Sequence, residues 1–133
     1  MNRDRNGSAA PPPEASFALL RGYTPFSGMP EAIVRAIVPR LTQATFPRDA
    51  TILSAQSGPV DALYIVTEGL VGRRPDDTQA EPDRTLGPGE LFPVGALSAG
   101  GTTTKVFHAL QDTTCLLLPR EHFLALPRDS PEV

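Results

Sequence analysis

The sequence predicts a mainly β fold with flanking helices, an antiparallel, jelly-roll-like β-roll. Three observations carry that expectation. Fifteen prolines and eleven glycines in 133 residues recur between short apolar runs, which is the punctuation of an all-β roll or barrel rather than a helical bundle. The apolar runs are rich in β-branched and aromatic residues, ALYIVT being the clearest. Helical spacing is confined to a segment before the strands and another after them.

The elements follow in order. Residues 1–14 are polar and proline-rich, offer little to bury and are expected to be a disordered leader to a domain over 15–133. Ala15 to Arg21 reads as a short helix with Phe17, Leu19 and Leu20 on its apolar side. Pro30 suits the first turn of a second helix and Glu31 its positive end. Ile33, Val34, Ile37, Val38 and Leu41 keep helical spacing until Pro39, which disfavours α geometry at Val38. Strands are then expected at Thr42 to Phe46, Thr51 to Ser54, Ala62 to Thr67, Leu70 to Arg74, Arg84 to Leu86, Lys105 to Leu110 and Thr113 to Leu118. The turns between them carry Pro47-Arg48-Asp49, Ser57-Gly58-Pro59, Glu68-Gly69, Gly87-Pro88-Gly89 and Gln111-Asp112, and PDDTQAEPD forms a solvated hairpin tip. Arg73-Arg74 reads as a charge pair that protects an edge strand. Pro119 and Glu121 open a last helix with Phe123, Leu124 and Leu126 on its apolar side, truncated by the end of the chain.

Composition narrows function. A net charge of −3 gives no global positive field for nucleic acid or anionic membrane. No apolar run approaches the ~20 residues of a membrane span, and the N-terminus lacks an apolar signal core, so the expected address is cytoplasmic. The single cysteine, Cys115, rules out an internal disulfide and lies in a buried-strand pattern. His108 and His122 are fourteen positions apart with no His-x-His, which does not supply a cupin-type metal set. Ser98 lies in no nucleophile-elbow pattern. Neither a catalytic residue, a metal nor a resident cofactor is expected, and the chain reads as a non-enzyme.

Four stretches resemble the cyclic-nucleotide-binding domain of catabolite-activator-type regulators and cyclic-nucleotide-dependent kinases: PFSGMPEAIVRAIVPRL, FPRDATILSAQSGPVDALYIVTEGLVGRR, LGPGELF and TTCLLLPREHF. Together they cover roughly Pro25 to Leu126. The resemblance implies a β-roll (a double-stranded β-helix) enclosing a cyclic nucleotide. It also implies a phosphate-binding cassette whose glutamate accepts the ribose 2′-hydroxyl and whose arginine pairs with the phosphate. Gly89, Glu90, Phe92, Ala96 and Leu97 fall on that pattern. The chemistry departs from it: Pro93 replaces a glycine, Val94 the glutamate and Thr103, give or take one position, the arginine. No arginine lies between Arg84 and Arg120, and Lys105 is the nearby cation.

A buried charge-assisted hydrogen bond contributes about 1.5–3 kcal/mol. Losing two would cost roughly 3–6 kcal/mol, taking a micromolar ligand to between sub-millimolar and tens of millimolar. Partial compensation is expected from backbone N–H groups near Gly95, Ala96 and Leu97, from hydroxyls of Thr102, Thr103 and Thr104, and from Lys105 as a point charge. Glu90 is a further candidate, against a plain role as a solvated or capping carboxylate.

The FPVGAL cassette resembles a subgroup found N-terminal to CBS and nucleotidyltransferase-like domains of bacterial signalling proteins. Two functions follow from the resemblance. One is a regulatory sensor with weak or altered binding of a cyclic or related small nucleotide, relaying occupancy to downstream domains of the same polypeptide. The alternative is a ligand-free structural or protein-interaction module that retains only the fold. A homodimer is compatible with either.

Overall fold

The computed structural model describes residues 6–9, 13–23, 26–75, 81–93, 97 and 101–125. Among the described residues, the strands and main α-helices run in the order β1 (Asn6–Ala9), α1 (Pro13–Arg21), α2 (Glu31–Ile37), β2 (Thr42–Phe46), β3 (Thr51–Leu53), β4 (Ala62–Glu68), β5 (Val71–Arg74), β6 (Arg84–Leu86), β7 (Leu91–Phe92), β8 (Val106–Ala109), β9 (Thr113–Pro119) and α3 (Arg120–Leu124). They form two antiparallel sheets with spatial orders β1-β2-β9-β4-β7 and β3-β8-β5-β6. This is the expected β-roll with flanking helices.

Most expected elements appear within a residue or two, and the exceptions have physical causes. The leader expected to be unstructured contains β1, which pairs with β2 at Asn6↔Thr45 and Ala9↔Gln43. Main-chain hydrogen bonds to an open sheet edge need no apolar side chains, so composition gave no sign of it. α1 begins at Pro13 rather than Ala15, with proline in a first-turn position that needs no amide. α2 stops at Ile37 and the chain tightens into a 3-10 turn over Val38–Arg40, as Pro39 requires. β5 is flanked by β6 and β8, so Arg73 and Arg74 do not guard a sheet edge. Two-residue strand β7 was too short to register as a periodic pattern. Leu126 lies outside the described residues.

β4 reads as a continuous apolar run because both of its faces are covered. Leu63 and Ile65, with Leu116 and Leu118 of β9, face the helices and pack with Leu20, Phe26, Val34, Ile37 and Phe123. Ala62, Tyr64 and Val66 face the roll interior with Phe46, Val71, Leu86, Phe92 and Phe107. An aromatic column crosses that interior. Tyr64 stacks on Phe92 with ring centroids 5.1 Å apart, and Phe92 on Phe107 at 4.7 Å; such pairs contribute about 0.5–1.5 kcal/mol beyond area burial.

Gly69 marks the point where the chain leaves the first sheet for the second. Its φ is +94°, and a Cβ there would lie 2.5 Å from the Asp112 carbonyl oxygen and from Thr113 Oγ1. The buried Thr113 hydroxyl secures the crossover by accepting the Leu70 N–H at 3.3 Å, with the Gln111 carbonyl 2.8 Å away as an acceptor. On the outside, the Arg35 guanidinium lies 3.9 Å over the Phe17 ring and bonds Glu31 at 2.9 Å, which joins α1 to α2.

Candidate functional site

The roll interior opens at one end into a cleft of about 540 Å³, lined by Arg73, Arg84, Leu86, Leu91, Phe92, Pro93, Thr102–Lys105 and Phe107. The volume is in the range of small-molecule sites. Its floor is the end of the aromatic column.

Strand register explains the wall formed by the second sheet. Leu86, Val71 and Ala109 are neighbours across β6, β5 and β8 and belong to the closed core. Two residues further along, on the same face, the corresponding row is Arg84, Arg73 and Phe107. The face thus changes from apolar to cationic where the core becomes the cleft. Arg73 is held by Asp83 through two bonds, Nε to Oδ1 at 3.1 Å and Nη2 to Oδ2 at 3.3 Å. The Arg73 hydrogen bond holds the Asp83 carboxyl below its ordinary pKa, with the Lys105 charge adding to the effect. Arg84 meets Glu90 loosely, at 3.8 Å, and both side chains are about half exposed.

The opposite wall is the loop that enters β8. Thr102, Thr103, Thr104 and Lys105 line the cleft together. Thr103 is buried, and its Oγ1 accepts the Lys105 backbone N–H at 3.0 Å, leaving the hydroxyl proton available to another acceptor. The Lys105 ammonium forms no ion pair among the described residues.

The other candidates fall elsewhere. Glu90 Oε1 accepts the Gly87 N–H at 2.8 Å, so this carboxylate closes the 87–90 turn and is not part of the cleft lining. Gly89 in that turn has φ +91°, and the Tyr23 ring sits where a Cβ would be, 3.0 Å away. The helical layer therefore presses on the entry to the cassette. The Leu97 N–H donates to the Pro93 carbonyl at 3.1 Å. Leu97 is fully buried in the cluster under the helices. Arg120 Nε, at the start of α3, donates to the Leu97 carbonyl at 2.8 Å. Gly95 and Ala96, with Val94, lie outside the described residues.

Sequence reasoning missed Arg73 and Arg84, having placed the nearby positive charge on Lys105 alone. The signal was available: both arginines flank the polar hairpin tip, and antiparallel pairing of its arms sets them opposite each other. Among the described residues no group of three or more His, Cys, Asp and Glu is placed to hold a metal. No helix there is long and apolar enough to cross a membrane.

Comparison with known proteins agrees with this architecture. The family model for the cyclic nucleotide-binding domain matches residues 43–130. Among solved structures, the regulatory subunit of a cAMP-independent protein kinase A from Trypanosoma cruzi, bound to guanosine, is 20% identical with a TM-score of 0.73. The match covers 83% of this chain and 40% of that one. The corresponding subunit from Trypanosoma brucei, as a triple mutant bound to cAMP, gives 19% identity and a TM-score of 0.75, covering 83% of this chain and 41% of that one. The N-terminal domain of a transcriptional regulator from Streptomyces coelicolor A3(2) gives 25% identity and a TM-score of 0.67, covering 80% and 74%. The chain thus spans less than half of either kinase subunit. With the roll, the aromatic-floored cleft and a model match over residues 43–130, this chain belongs to the cyclic nucleotide-binding domain family.

Proposed function

We infer that the chain is the regulatory sensor module of a cytoplasmic bacterial signalling protein, with nucleotide binding altered from the family pattern. The cleft carries this reading. It has the volume for a nucleoside, an aromatic floor of Phe92 and Phe107, threonine hydroxyls and Lys105 on one wall and two arginines on the other. A protein with the same fold holds guanosine, a ligand without a phosphate, so loss of the cassette arginine is compatible with a purine nucleoside ligand. Occupancy would reach downstream domains, of the CBS and nucleotidyltransferase-like kind, through Leu97 and its bond to Arg120.

Thermal denaturation with guanosine, cyclic AMP and cyclic GMP tests the reading. Ligand at a hundred times its dissociation constant adds about 2.7 kcal/mol, or about ten degrees in Tm for a domain this size. No rise with any of them at millimolar concentration would favour the ligand-free interaction module. Restoring the family chemistry with Val94→Glu and Thr103→Arg should add cyclic AMP binding. The triple mutant of the Trypanosoma brucei subunit that holds cAMP likewise includes a threonine-to-arginine change.

A further inference from the structure

We propose that the anionic subsite of the cleft lies on the wall of the second sheet, at Arg84 and Arg73 with Lys105 opposite, and that it selects nucleotides with a terminal phosphate over 3′,5′-cyclic nucleotides and nucleosides. This rests on the reading that the cleft takes a nucleotide and specifies which kind.

The cationic row carries the inference. Arg73 and Arg84 are direct cross-strand partners facing one cavity. Like charges so placed repel, and the arrangement becomes favourable when an anion sits between them. Asp83 engages Arg73 through two bonds, but Arg84 meets Glu90 only at 3.8 Å, and Lys105 pairs with no carboxylate among the described residues. Two cations of the cleft are therefore loosely held or unpaired. The cassette wall supplies the Thr103 hydroxyl and, among the described residues, no arginine.

Phosphate chemistry fits this division. A 3′,5′-cyclic phosphate is a monoanion fused to the ribose, so its charge stays beside the sugar, where the cassette arginine would have met it. A terminal phosphate monoester carries about −1.5 to −2 charges at pH 7 and swings on a rotatable bond. It also presents several oxygens to a guanidinium fork, which binds such groups in bidentate fashion. With the nucleoside on the Phe92–Phe107 floor, that arm extends to the arginine row at the mouth.

Calorimetric titration of the intact chain with guanosine, guanosine 5′-monophosphate and 3′,5′-cyclic GMP, and with the adenine counterparts, tests the proposal. The 5′-monophosphate should bind at least about tenfold tighter than the other two forms of its base, with the advantage shrinking as salt rises. Arg84→Gln should remove most of the monophosphate's advantage and leave nucleoside affinity within about twofold, while its unliganded Tm stays nearly level, because the loose Glu90 contact and the like-charge repulsion from Arg73 are lost together. Lys105→Met, on the other wall, should weaken the monophosphate selectively in a second background. Equal or tighter binding of the cyclic form, or an Arg84→Gln effect shared by all three forms, would overturn the relocated subsite and leave the nucleotide cleft standing. Failure of all forms to bind would overturn the cleft reading and this one with it.

Discussion

The two faces of the first sheet carry different cores. Toward the helices, Leu63, Ile65, Leu116 and Leu118 are at most 1% exposed and pack in one apolar cluster. Toward the roll, Ala62, Tyr64, Val66 and Cys115 begin an equally apolar core that ends, across the interior, at the Arg73–Arg84 row. Burial has pushed the Cys115 thiol up to about 12, so it is inert packing. Alternate residues of β4 and β9 thus serve a closed layer that supplies stability and an open one that supplies a cleft. Leu97 belongs to the closed layer although it lies in the cassette.

The largest test separates the layers. Leu63→Ala removes a fully buried side chain from the apolar cluster under the helices. It should cost about 2–5 kcal/mol in chemical denaturation and leave ligand affinity unchanged while the domain stays folded. A fall in affinity comparable to the loss of stability would show that the two faces are not separable. Next is Gly69→Ala at the crossover. The positive φ and the 2.5 Å approach to the Asp112 carbonyl combine strain with a backbone clash. A cost of about 2–3 kcal/mol is expected, visible as a lower denaturation midpoint. A neutral result would mean that the crossover moves freely relative to Thr113.

The closed layer was more legible in the sequence than the open one. Helical spacing at Val34 and Ile37, and the buried-strand run TTCLLL, are local signals, and both elements pack as the patterns require. The charge in the cleft is a long-range product. Arg73 and Arg84 become neighbours only once the hairpin closes, and the short strand β7 joins the sheet through pairings such as Tyr64↔Phe92. The family pattern directed attention to cassette positions where a cation was missing, whereas the second sheet supplies two from residues outside the cassette. Glu90 fits the pattern in sequence, yet its oxygen is already engaged by the Gly87 amide. Such a commitment depends on turn geometry, which residue identity alone does not fix.

The smallest expected effect concerns the outer face of the second sheet. His108 of β8 is the register partner of Gly72, opposite in direction to the cleft residue Phe107. Its Nδ1 is buried without a hydrogen-bond partner among the described residues. Burial first, and then the charge of Arg74, lower its pKa from 6.5, with Asp49 acting in the other direction. The folded state therefore binds a proton less readily than the unfolded chain. Stability is fully present above 6.5, falls as pH drops from there through the lower folded value, and levels off below it. Asp83 and Glu31, whose pKa values are also lowered, contribute stability that is present above their unfolded values and lost only in more acidic solution, so they leave this window undisturbed. Urea denaturation at about pH 8 and about pH 5 should show a loss of stability in the parent that His108→Gln removes. Ligand affinity should keep the same pH dependence in both proteins, because His108 faces away from the cleft. If the substitution instead altered the pH dependence of binding, the outer face of β8 would be coupled to the arginine row through Phe107, the neighbour of His108 on β8 and the register partner of Arg73.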